Sequence, residues 1–60
     1  MELIIDVWNI SYNCQPVLIM LDGHKIFKGL MGDVPMKFMK CQVIWITSVD
    51  GVLVIDIWKD

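Results

Sequence analysis

The chain has 60 residues, 57% of them hydrophobic and 20% charged, with a formal net charge of −2. That length holds one domain, residues 1–60, close to the lower limit for folding alone, and a chain so short buries only about 60% of the surface its unfolded form exposes. The composition argues against two partners. Lys25, Lys28, Lys37, Lys40 and Lys59 neither cluster nor supply the guanidinium forks of nucleic-acid readers. The longest aliphatic run, Val17 to Leu21, is far short of the ~20 residues that span a bilayer.

Taken in chain order, Met1 to Ile10 is rich in β-branched and aromatic residues around Asp6, which predicts a first strand. Ser11 to Pro16 interrupts it with turn-forming residues. Val17 to Asp22 and Ile26 to Met31 are predicted to pair as a hairpin across Asp22-Gly23-His24-Lys25. Gly32-Asp33-Val34-Pro35 resembles a helix start, with Asp33 as cap and Pro35 in the first turn, so a short helix is expected over Val34 to Cys41. Gln42 to Val49 and Val52 to Trp58 flank Asp50-Gly51, the pair that favours a two-residue type I′ turn and therefore a terminal hairpin. The expected fold is mainly β (α+β): a five-stranded antiparallel sheet in the order β-β-β-short α-β-β.

Side chains alternate between the two faces of a strand. Leu53, Ile55 and Ile57 fall on one face of the last strand, and Val52, Val54, Asp56 and Trp58 on the other. Val17, Ile19 and Leu21 likewise oppose Leu18 and Met20, and Val43 and Trp45 oppose Ile44 and Ile46. Both faces of these strands are apolar, whereas a sheet with one solvated face shows polar residues there. Either a small closed barrel or a second molecule has to absorb the surplus, and a two-fold homodimer is the simpler solution. The expected contact residues are Trp8, Trp45, Val52, Val54 and Trp58, since aromatic anchors dominate protein interfaces.

Chemistry-bearing residues are few. His24, the single histidine, lies in a predicted turn with only Asp22 beside it, and reads as a surface residue. Together with Cys14 and Cys41 it would offer three ligands at unrelated spacings, where structural zinc takes four in pairs. Asp22 and Asp50 are accounted for by turns, and Asp6 and Asp56 read as charges that protect strand edges from aggregation. No Gly-rich phosphate loop occurs. Met20, Met31, Met36 and Met39 with Phe38 read as core filling, or as an adaptable binding set. No catalytic, cofactor-binding or metal-binding residue is therefore assigned, and the chain is not expected to be an enzyme. Glu2 and Asp6 put acid where a secretory signal carries basic residues, so a cytoplasmic setting is expected. Such a setting favours two free thiols, although spacing alone leaves a Cys14–Cys41 disulfide open.

Ile26-Phe27-Lys28-Gly29, Asp33-Val34-Pro35, Val43, Ile46 and Asp50-Gly51 followed by Leu53, Ile55 and Ile57 together resemble a loose pattern in small uncharacterised bacterial, phage and mobile-element β-rich proteins. The resemblance covers about two thirds of the chain, on turn and core residues, and transfers no activity. What it implies is a phage or mobile-element setting and an accessory or inhibitory binder of a host or phage protein. The second function class, a small-molecule module, would need a pocket between the sheet and the 34–41 helix, or across a dimer seam.

Overall fold

A computed structural model describes residues 2–58. The chain opens with a helix, α1 (Ile4–Ile10), where a strand was expected over Met1 to Ile10. The same residues satisfy a helical period: Ile4 and Val7 are buried and Trp8 half-buried, one turn apart on one side, while Ile5, Asp6, Asn9 and Ile10 face out. The Leu3 N–H donates to the Asp6 carboxylate at 3.0 Å, so one of the backbone donors at the helix start finds a partner three residues on. At the other end the Ser11 hydroxyl donates to the Val7 carbonyl at 2.7 Å. All that remains of the expected strand is a single antiparallel bridge between Leu3 and Gln42. Asp6 is thus a helix residue, not an edge guard.

Four strands follow: β1 (Pro16–Leu21), β2 (His24–Leu30), β3 (Val43–Val49) and β4 (Val52–Ile57). Both Asp-Gly hairpins form. Asp22 and Gly23 take φ 56 and 81, and Asp50 and Gly51 take φ 52 and 80, the paired positive angles of a two-residue hairpin turn. In place of five antiparallel strands the sheet has four, in the order β2-β1-β4-β3, and its central pair, β1 and β4, is parallel. Pro-Val-Leu-Ile-Met-Leu and Val-Leu-Val-Ile-Asp-Ile take the centre, which leaves lysine-bearing β2 at one edge and β3, with Thr47 and Ser48, at the other. Asp56 accordingly sits on a central strand, contrary to the edge role expected for it. The Gln15 side chain ties the start of β1 to the second hairpin, donating to the Gly51 carbonyl at 3.0 Å.

The connection from β2 to β3 travels between opposite edges of the sheet and holds two short 3₁₀ turns, Met31–Asp33 and Met36–Phe38, where one helix was expected over Val34 to Cys41. Val34 and Pro35 are both extended, Pro35 at ψ 144. A residue before proline is pushed out of the helical region, and Val34 has φ −61 and ψ 124. Its side chain is buried with Met31 and Met39, and 3₁₀ bonds such as Phe38 N–H to the Pro35 carbonyl at 3.0 Å and Met39 N–H to the Met36 carbonyl at 3.1 Å hold the turns on either side.

The core lies on one side of the sheet: Val17, Ile19, Ile55 and Ile57 beneath Ile4 and Val7 of α1 and Met31, Val34 and Met39 of the connection. Leu21, Phe27, Val43 and Leu53 border it. No polar or charged side chain is buried among the described residues.

Candidate interaction surface

The register assembles the other side of the sheet row by row. Across its middle run Lys28, Leu18, Val54 and Thr47, and beside them Lys25, Met20, Asp56 and Trp45. At the Asp50-Gly51 end, Leu30 pairs with Pro16 and Val52 with Val49. Trp58, one residue past β4, continues the series of Val52, Val54 and Asp56 and is 50% exposed. α1 and the β2–β3 connection supply buried residues to the opposite face, and no other element remains among the described residues to cover this one.

This open face is apolar along Leu18, Met20, Val52 and Val54, carries Asp56 between Met20 and Trp45, and has lysines at one flank. Leu18, Met20, Val52, Val54 and Asp56 are half-buried, Val49 and Trp45 are exposed, the latter at 64%, and Lys25 and Lys28 stand together on β2. Four strands about 4.8 Å apart and six residues rising about 3.3 Å each give the whole face, polar residues included, a footprint on the order of 400 Å². The Trp45 indole N–H donates to the Thr47 hydroxyl, which holds the ring along β3.

Four of the five expected contact residues thus fall together, namely Trp45, Val52, Val54 and Trp58. Trp8 does not join them: it lies on α1 and packs against the core from the covered side, with its buried Nε1 lacking any acceptor among the described residues. Leu18 and Met20 belong to the surface although they were not singled out. Their signal was the alternation along β1, but only the parallel pairing with β4 sets them beside Val54 and Asp56. The faces of β3 also differ from simple alternation. A bulge between Val43 and Trp45 puts Val43 opposite Ile57 on the covered face and Trp45 opposite Asp56 on the open one.

Other chemistry is sparse. His24 is exposed at the start of β2. Cys14 and Cys41 are both free thiols, the first exposed and the second half-buried. Among the described residues no three metal-ligating side chains come together, and no pocket opens, including between the sheet and the 34–41 segment. Of the methionines read as core or contact set, Met31 and Met39 are buried, Met20 lies on the open face and Met36 is exposed. No helix among the described residues is long and apolar enough to cross a membrane. No protein-family model, curated protein or solved structure matches the chain.

Proposed function

We propose that this chain is a self-associating protein–protein interaction module whose open sheet face is the contact surface. The observation that carries the reading is the central parallel pair. Strands that are apolar on both sides are characteristically covered on both faces; β1 is such a strand and β4 is one except for Asp56, and each is covered on one face. A second copy brings the same apolar patch, so each hides the other. The free energy comes from desolvating Leu18, Met20, Val54 and the tryptophans, against the cost of association. Lys25 and Lys28 stay at the rim, where charge sets orientation more than affinity. The resemblance seen in the sequence supports a phage or mobile-element setting, with a host or phage protein as the further partner.

Sedimentation across the micromolar range tests the reading. The wild-type chain is expected to exceed its 7.0 kDa monomer mass, and Val54→Lys, which places a charge at the centre of the face, to lower the assembled mass while retaining the wild-type circular dichroism spectrum. A particle of monomer mass throughout, or a folded Val54→Lys protein of unchanged mass, would discard it.

A further inference from the structure

The two edges of the sheet are built differently. β2 carries His24, Lys25 and Lys28, together with Gly29 and a register shift opposite Ile19 and Met20, the devices that discourage strand-to-strand association. β3, at the other edge, shares a register shift, between Val43 and Trp45 at its start, but none of the charged devices: Val43 to Val49 contains no charge, proline or glycine. Its composition is that of a pairing strand, Val-Ile-Trp-Ile-Thr-Ser-Val, β-branched at five of seven positions. Only its beginning is occupied on the outer side, where the Val43 N–H donates to the Glu2 carbonyl at 2.8 Å and Gln42 bridges Leu3. From Ile44 to Val49 the outer edge has no strand beside it among the described residues, and every side chain in that stretch is exposed.

We infer that the outer edge of β3 pairs with β3 of a second copy, antiparallel about a two-fold axis at Thr47. The inference rests on the reading of the chain as self-associating but uses a different surface. Backbone geometry and sequence both favour it. In a two-residue hairpin Val49 and Val52 direct their backbone groups at each other, so alternation turns those of Ser48 and Ile46 outward. Centred on Thr47, the pairing sets Ile46 against Ser48 of the second copy with both backbones bonded. It also sets Thr47 against Thr47 and Trp45 against Val49, which are Thr–Thr and aromatic–β-branched cross-strand pairs. No like charges meet. The same operation on β2 about its middle residue, Phe27, would bring lysines of both copies close together, the arrangement that sheets avoid.

The product is an eight-stranded sheet, four strands from each copy, whose open apolar faces lie side by side on one surface. Edge pairing runs about an axis perpendicular to the sheet and face packing about an axis within it. Together the two contacts close at four chains, a common symmetry for homo-oligomers.

The test is disulfide trapping in a Cys14→Ser/Cys41→Ser background. Thr47→Cys, with an added oxidant, is expected to give a covalent dimer as its main product, since facing residues bring their Cα atoms within disulfide reach. Ser48→Cys is expected to remain uncrosslinked, because two-fold pairing at Thr47 puts its two thiol-bearing Cα atoms about 8 Å apart. Without any substitution, hydrogen exchange at the Ile46 and Ser48 amides is expected to slow as protein concentration rises. Loss of the face contact by Val54→Lys should leave a two-chain particle that still traps through Thr47→Cys. A sample above monomer mass that forms no Thr47–Thr47 disulfide, or a Val54→Lys protein that is wholly monomeric, would overturn the edge pairing and leave the face reading standing. Efficient trapping with no effect of Val54→Lys on mass would support the edge and remove the face.

Discussion

Gly51 sits at φ +80 with nothing within 4 Å of the position a Cβ would take. Its requirement is thus one of backbone conformation and not of space, because a left-handed residue with a side chain costs roughly 1–2 kcal/mol. Gly51→Ala is expected to lose about that much stability, read as a lower urea midpoint at unchanged slope. Trp8 illustrates the opposite compromise. Its ring adds apolar area against the core, while its buried N–H forgoes a partner at a cost on the order of 1–3 kcal/mol. Sequence reading places a tryptophan where aromatic area is useful but cannot decide between core and interface; the helical turn of α1 decides it here.

At the scale of elements, α1 has seven residues, too few to persist alone. It is held by the apolar side that docks on the sheet, by the Ile4 and Ile5 N–H groups, which donate to the Cys41 and Met39 carbonyls at 3.0 and 2.9 Å, and by the Asp6 contact. Asp6→Ala is expected to cost about 0.5–1 kcal/mol, which in a domain of this size lowers the melting temperature by about 2–8 °C. A scan by differential calorimetry checks it. The terminal hairpin was legible because Asp50-Gly51 answers a local demand for positive φ at two adjacent positions; the first was expected with a turn over Asp22 to Lys25, and its turn is Asp22-Gly23 alone. The helix was not legible, since Leu3 to Ile10 satisfies both the strand composition and the spacing Ile4, Val7, Trp8. In the 34–41 segment Val34 and Pro35 are both extended, at ψ 124 and 144, and only Met36–Phe38 turns; Pro35 accounts for Val34 alone.

At the scale of the molecule, the nine buried apolar residues among those described, on one side of the sheet, make a small core, and domains of this length are stable by only a few kcal/mol, about 0.05–0.15 per residue. Covering the open face adds to that sum only when copies meet, so folding and association are linked by mass action. The melting temperature is therefore expected to rise with protein concentration, and to become independent of it in Val54→Lys combined with a Ser48→Pro change that removes the outward N–H of β3. Calorimetry over a hundredfold dilution measures both. A concentration-independent transition in the wild type would show that one copy is stable by itself.

The apolar character of both faces was written in the residues, because alternation along a strand is a fixed two-residue period that Val17 to Leu21 and Val52 to Trp58 display directly. So was the Asp50-Gly51 turn. What the tertiary structure alone decided was strand order and direction: the parallel union of β1 with β4 depends on a connection that crosses the sheet and on which strands lose most by standing at an edge, and neither is a property of any one segment. That union gathers Leu18, Met20, Val54 and Trp45 into one surface and leaves uncharged β3 outermost.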